Sequence, residues 1–252
     1  MSVALLITTY NRPDALDVLL DSVAKQSQMP DEVIICDDGS RHDTSAIIAS
    51  WACRLPIFHA WTRDLNFRAA FSRNLGILKS RSEVLVFVDG DCLLPPSFIE
   101  NYLKLARPGY LISGGRHLLT RRKTESILSH ELPFSSAFHH WKFLTLPFGS
   151  FRDRGSKDWQ AVRTCNLGVY RDDALKIAGF DEGYIGWGRE DSDFVVRLIH
   201  AGIEIRSGRL ATCVAHLYHR ESSRAQLSVN DQRLQTVLNN PNSVMPSSSI
   251  LK

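Results

Sequence analysis

The chain has 252 residues, 44% of them hydrophobic and 23% charged, an ordinary globular composition with length for one large α/β domain and a sizeable core. Its 30 Lys and Arg against 27 Asp and Glu leave a formal net charge of +3, so no general basic field for nucleic acid is expected. Five scattered cysteines without a CxxC pair argue against a disulfide framework or a zinc knuckle and for a reducing compartment.

Val3–Thr9 is rich in Leu and β-branched residues and predicts a buried strand. Its apolar part is too short for a signal peptide, and no run reaches the ~20 apolar residues of a membrane span. A cytoplasmic protein is expected, with peripheral docking at the inner face of a membrane left open. Pro13 opens a helical pattern whose apolar face is Ala15, Leu16, Leu19, Leu20 and Val23. Val33–Cys36 predicts a second strand ending at Asp37-Asp38-Gly39-Ser40, and Asp43 or Thr44 is the expected cap of a helix carrying Ile47 and Ile48. A short strand over Ile57–Trp61, a helix from about Arg68 to Leu78 and a strong apolar strand over Val84–Val88 follow. Strands alternating with helices predict a mostly parallel, Rossmann-like sheet flanked by helices. Ligands of such sheets bind beyond the carboxyl ends of the strands. Thr8-Thr9-Tyr10, Asp37-Asp38 and Asp89-Gly90-Asp91 all stand at such ends, so one pocket is expected to gather them.

Further on, a helix is expected near Ser97–Leu105 and a strand near Tyr110–Gly114. Residues 118–162 show no periodicity despite Phe134, Phe138, Trp141, Phe143, Phe148, Phe151 and Trp159, and predict an inserted, partly mobile region over the pocket. Arg121-Arg122-Lys123 within it predicts a solvated loop. A second block begins with a strand at Arg163, a short helix over Asp172–Ala178, a Gly-rich turn over Gly183–Gly188 and a helix from Glu190 to Ala201. A strand pair near Glu204–His216 precedes a polar tail, residues 221–252, whose end is expected to be disordered.

Three groups carry chemistry. Asp89-Gly90-Asp91 places two carboxylates around a glycine at a strand end, which suits a hard divalent cation holding phosphate oxygens. The glycine would let a diphosphate approach the backbone. Gly186-Trp187-Gly188-Arg189-Glu190-Asp191-Ser192-Asp193 sets acidic residues in a first helical turn, where the dipole favours them anyway. That bland account leaves Trp187 between two glycines unexplained; a presented indole can stack on a sugar ring, and a neighbouring carboxylate can take a proton from an acceptor hydroxyl. His216 and His219 could complete a metal shell begun by a carboxylate.

With these residues the sequence resembles glycosyltransferase family 2 and its relatives of the GT-A fold. Thr8-Thr9-Tyr10-Asn11-Arg12 and Asp37-Asp38-Gly39-Ser40 are similar to that family's nucleotide-binding start. Asn66 and Ala70–Gly76 are similar to its diphosphate-supporting segment, and Asp89-Gly90-Asp91 to its DxD motif. Gly186–Asp193 is similar to the WGxED segment of the β-1,4-galactosyltransferases and chondroitin-polymerase-like enzymes. The resemblance implies one GT-A domain over residues 1–220. Residues 1–117 would bind the nucleotide sugar, 118–162 would form the insertion, and 163–220 would form a smaller acceptor-binding and catalytic part. It implies that Thr8, Tyr10, Arg12 and Asp38 hold base and ribose, with Asn66 and Arg73 on the diphosphate side. Asp89 would meet the ribose or the metal's water shell, and Asp91 would bind Mn²⁺ or Mg²⁺ with His216, or His219 as the alternative. Asp191 would be the catalytic base, with Glu190, Trp187 and Gly188 orienting the acceptor. The implied reaction is inverting transfer of a sugar, such as galactose or an N-acetylhexosamine, from a UDP-sugar to a hydroxyl of a glycan or lipid-linked glycan during surface-glycan or polysaccharide assembly.

A nucleotidyltransferase making sugar nucleotides is the competing enzyme class, but it should carry a Gly-rich loop after the first strand, where Thr8-Thr9-Tyr10-Asn11-Arg12 has no glycine. A non-catalytic sugar-binding module has no use for paired carboxylates, histidines and a base together.

Overall fold

The computed structural model describes residues 1–140, 152, 158–220 and 223–252. Four strands from the first part of the chain form its spine. β1 (Val3–Thr9), β2 (Glu32–Asp37), β3 (Ile57–Trp61) and β4 (Val84–Asp89) run parallel in the order β3-β2-β1-β4. Side chains alternate across a strand, and β1 shows the consequence. Val3, Leu5 and Ile7 enter one core with α1 (Pro13–Ala24), α2 (His42–Trp51) and α4 (Phe98–Leu105). Ala4 and Leu6 enter the opposite core with α3 (Ala69–Lys79), α6 (Arg171–Lys176) and α7 (Glu190–His200). Each fully buried Val, Leu or Ile contributes about 1.5–3 kcal/mol, so both faces hold the sheet.

Beyond β4 the direction changes. β8 (Asn166–Tyr170) lies antiparallel to β4, β6 (Tyr110–Ser113) antiparallel to β8, and β9 (Glu204–Ser207) parallel to β6. The result is a seven-stranded, mostly parallel sheet. A second sheet has the order β5 (Cys92–Leu93), β10 (Val214–His216), β7 (Arg116–Leu118). The strands expected as a pair near Glu204–His216 therefore part company: β9 closes the large sheet and β10 centres the small one.

Other expectations are corrected by local physics. α2 begins at His42 with Arg41 at its N-cap, and neither Asp43 nor Thr44 caps it; Thr44 is buried inside the first turn. Arg121-Arg122-Lys123 is not a loop but opens α5 (Arg121–Leu128), where the Thr120 hydroxyl accepts from the Lys123 N–H. The expected insertion is partly core: Phe134 and Ala137, in a 3₁₀ turn, join the first core cluster. Trp141, Phe143, Phe148 and Phe151 lie outside the described residues. The expected disordered tail end is ordered. α8 (Leu227–Leu238) packs Leu234 and Val237 against Val196 of α7. Asp181 then accepts from the backbone and hydroxyl of Ser247, each at 2.8 Å. The serines that made this segment look solvated are donors to a buried carboxylate.

Candidate functional site

The carboxyl ends of β2, β1 and β4 stand side by side, with Thr9 opposite Asp37 and Thr8 opposite Asp89. They open into a cleft of about 810 Å³ lined by Thr8, Thr9, Tyr10, Asp38, Arg73 and Asp89 on this side. Asp37 does not reach it: its carboxylate accepts from the Ser40 N–H and meets His59 Nε2, each at 2.8 Å, and holds the turn. Asp38 does. Its Oδ2 accepts from the Arg68 N–H at 2.7 Å, and burial pushes its carboxyl up to about 6, against the pull of that hydrogen bond and of Arg68 and Arg73. Tyr10 stands exposed at the rim with its hydroxyl donating to Asp64.

Two expected nucleotide residues stand apart from the cleft lining. Arg12 turns to Asp14 at 2.9 Å, and Asn66 sits on an exposed left-handed turn (φ 70°) with its N–H on Asp64. Gly90 also has a packing reason. A Cβ there would meet the Thr8 carbonyl and the Thr9 hydroxyl at 3.1 Å, so the residue lets β4 turn against β1.

Asp91, His216 and His219 place one ligand atom each within 4.8 Å of one another. The topology brings them together: β5 follows Asp91 directly and pairs antiparallel with β10, setting His216 opposite Cys92, while the Leu217 N–H donates to the Asp91 carbonyl. Asp91 Oδ1 lies 3.6 Å from His216 Nε2 and Oδ2 lies 3.5 Å from His219 Nε2. Each Nδ1 meets a backbone carbonyl at 2.8 Å, that of Leu217 and that of Arg220. A carbonyl only accepts, so each Nδ1 carries a proton, and each Nε2, on the carboxylate side, is the nitrogen left for a cation shared with Asp91. That is the oriented imidazole of a metal ligand, and the donor set of one carboxylate and two imidazoles fits a divalent cation.

The far wall is built by α7 and the loop before it. Gly186 and Gly188 have φ of 76° and 106°, and Arg189 is left-handed at 79°. Such a turn costs conformational energy at Arg189, and α8 holds it in place. Asn230 Nδ2 donates to the Gly188 carbonyl at 2.9 Å, and Asp231 pairs with Arg189. The turn presents Trp187, 39% exposed, with the Arg224 guanidinium 5.3 Å from its ring centroid. Asp191, partly exposed, accepts from the Ser192 N–H. Glu190 is buried: Oε1 accepts from Arg73 at 3.1 Å, while Oε2 has no hydrogen-bond partner among the described residues. Burial and the charge of Asp191 raise its carboxyl above the usual range, and Arg73 opposes them. Arg73 also reaches Asp89 at 3.3 Å and Thr8 Oγ1 at 3.2 Å, with its guanidinium over the Phe180 ring.

Arg116, Arg163, Thr164 and Cys165 also line the cleft, and sequence reasoning missed them. Arg116 follows the Gly114-Gly115 pair, which is the only local signal it offered.

Comparison with known proteins accords with this geometry. The family described as Glycosyl transferase family 2 matches residues 4–177, and the one described as N-terminal domain of galactosyltransferase matches residues 154–220. Validoxylamine A glucosyltransferase of Streptomyces hygroscopicus subsp. limoneus is 28% identical over 250 residues, covering 91% of this chain and 55% of that protein. Chondroitin synthase of Escherichia coli is 24% identical over 246 residues, covering 86% of this chain and 34% of that protein. The chain thus spans about half the length of the first of these relatives and a third of the second. Among solved structures, S. aureus TarS in complex with UDP-GlcNAc superposes with a TM-score of 0.68 at 17% identity, covering 95% of this chain and 67% of that one. A mannosyltransferase of Pyrobaculum calidifontis in complex with GDP-Man and Mn²⁺ gives 0.64 at 17% identity, covering 94% and 64%. The architecture is the GT-A fold. Among the described residues no helix is long and apolar enough to cross a membrane.

Proposed function

The chain belongs to glycosyltransferase family 2, and on that premise we propose that it is a metal-dependent, inverting transferase moving a sugar from a UDP-sugar to an acceptor hydroxyl. The observation that carries this reading is that Asp91, His216 and His219 place ligand atoms within 4.8 Å of one another, and the two histidines line the same cleft as Asp191. UDP-GlcNAc in S. aureus TarS and GDP-Man with Mn²⁺ in the archaeal mannosyltransferase support a nucleotide-sugar donor. Galactose or an N-acetylhexosamine is the sugar we favour, and surface-glycan or polysaccharide assembly in the cytoplasm is the setting that five free cysteines suit.

In this reading Tyr10, Thr8 and Asp38 receive base and ribose, Asp89 the ribose, and Arg73 supports the diphosphate side. Asp91, His216 and His219 would hold Mn²⁺ or Mg²⁺, which when bound offsets the charge of the diphosphate leaving group. Trp187 offers a face to the acceptor sugar, and Gly188 lets it approach. Glu190, which lines the cleft beside Asp191, orients the acceptor. Asp191, the more accessible carboxylate, takes the proton as the acceptor oxygen bonds to the anomeric carbon and the bond to the diphosphate breaks. A base on the acceptor side implies attack opposite the leaving group, hence inversion.

A screen of nucleotide sugars for release of free nucleotide, with and without Mn²⁺, tests the proposal. UDP release from one UDP-sugar, dependent on the metal, is expected; no turnover with any donor would overturn it.

A further inference from the structure

Five arginines line the cleft: Arg73, Arg116, Arg163, Arg189 and Arg224. Two are neutralised by protein: Arg73 by Asp89 and Glu190, and Arg189 by Asp231. Arg224 lies over Trp187. Arg116 and Arg163 have no carboxylate partner among the described residues. Arg116 leads β7, whose neighbour β10 carries His216 two positions beyond Arg116's partner Val214, and its Nη1 rests 3.9 Å from Cys165 Sγ. Arg163 Nη1 donates to the carbonyls of Gln160 and Val162 at 2.7 and 2.6 Å. Those two bonds fix one corner of its guanidinium, and the side chain lines the cleft. Arg116 is exposed and Arg163 half-buried, so both stay charged at the cleft wall and present planar forks suited to an oxyanion that enters it.

From this arrangement, and resting on the glycosyltransferase reading above, we infer that the acceptor carries an anionic oxyacid group, a phosphate or a carboxylate, bound by Arg116 and Arg163 on the β7–β8 side of the cleft. The donor diphosphate is the rival ligand for these side chains. It is disfavoured because Arg73 and the cation site already serve the diphosphate, whereas Arg116, at the very end of the donor half, rests against Cys165, close in sequence to Arg163 and beyond that half. A guanidinium–oxyanion hydrogen bond of the strength usual for charged partners makes a difference of about ten- to a hundredfold in affinity.

The test uses the whole chain, saturated with UDP and Mn²⁺, titrated calorimetrically with glucose, glucose 6-phosphate and glucuronate. At least about tenfold tighter binding of one or both charged sugars than of glucose is expected. Preference for the phosphate or for the uronate identifies the source of the charge. Arg116→Gln, at an exposed position, and Arg163→Gln should each erase most of the difference, with melting temperature reporting that the variants fold. Equal affinity for the three sugars overturns the inference, as does a charge preference that survives in both variants. A parallel loss of UDP affinity in Arg116→Gln would place the arginines on the donor diphosphate and also overturn it. Failure of the wild-type chain to bind UDP at all would instead remove the UDP-sugar reading, and this inference with it.

Discussion

Arg73 donates from Nη1 to Glu190 Oε1 across 3.1 Å, joining α3 to the first residue of α7 over 117 positions of sequence. The same guanidinium reaches Asp89, so one buried cation ties the end of β4 to the start of α7. Removing one partner of a buried ion pair leaves the other uncompensated, which costs about 3–5 kcal/mol. Arg73→Met should therefore lower the free energy of unfolding by that order in urea titrations. The double variant Arg73→Met/Glu190→Gln should recover part of the loss, because no buried carboxylate is then stranded. Additive losses in the double variant would show that the two side chains do not interact.

Asp38 gives a pH dependence. Its folded carboxyl titrates near 6, above the ordinary value of 3.8, chiefly through burial. The folded state therefore binds the extra proton between those values, and Asp38 contributes a loss of stability as pH rises from about 4 to about 6. Only the ionised form can accept two hydrogen bonds from a base or ribose while holding the Arg68 N–H. UDP affinity should fall as pH drops below about 6, and Asp38→Asn should bind weakly at every pH. A UDP affinity that is flat from pH 5 to 8 in the wild-type chain would make Asp38 a turn residue only.

Much of this was legible in the sequence, and for a physical reason. Val3–Thr9 and Val84–Val88 are apolar on both faces, as strands covered on both sides require, and the polar residues that follow, Tyr10-Asn11-Arg12 and Asp89-Gly90-Asp91, mark their ends. Contacts between distant segments were not legible from local pattern. The meeting of Asp91 with His216 was expected from the family resemblance alone, since nothing near Asp91 announces that β5 will pair with β10, and nothing announced that Arg116 and Arg163 would line the same cleft. Composition misled at the tail. Asn230 and Asp231 look like solvated residues, yet they hold the carbonyl of Gly188 and the charge of Arg189.

The cation site predicts a ligand effect without reference to turnover. A ligand that binds only the folded state raises its stability, so Mn²⁺ should raise the melting temperature and EDTA should reverse the rise. Asp91→Asn and His219→Ala should each abolish the shift. Should His219→Ala keep the full shift while His216→Ala loses it, the cation is held by Asp91 and His216 alone.

The clamp from α8 predicts an acceptor-side defect. Arg189 is left-handed and costs energy that its neighbours offset, and a lost hydrogen bond of this kind is worth about 0.5–1.5 kcal/mol. Asn230→Ala should loosen the Trp187 turn, raising the KM for acceptor several-fold with donor KM nearly unchanged. Equal effects on both constants would mean that the clamp serves the whole domain instead of the acceptor loop.

Asp191 and Glu190 are adjacent acids, and their surroundings separate their roles. Glu190 is buried, engaged by Arg73 and raised in pKa by burial, which makes it suited to holding a substrate hydroxyl. Asp191 is partly exposed in the cleft, at the first turn of α7, where the helix dipole favours a negative charge. A base is lost in turnover and a ligand in binding. Asp191→Asn should thus leave UDP affinity within about twofold while kcat falls by about 10²–10⁴, the usual contribution of a general base. Glu190→Gln should divide its effect, with a lower kcat and a larger share of the loss in acceptor KM. Steady-state kinetics with calorimetric UDP titration separates these outcomes. If Asp191→Asn keeps more than about a tenth of the wild-type kcat, a loss too small for a general base, the proton goes elsewhere. Glu190, its neighbour in the cleft lining, is then the carboxylate that takes it.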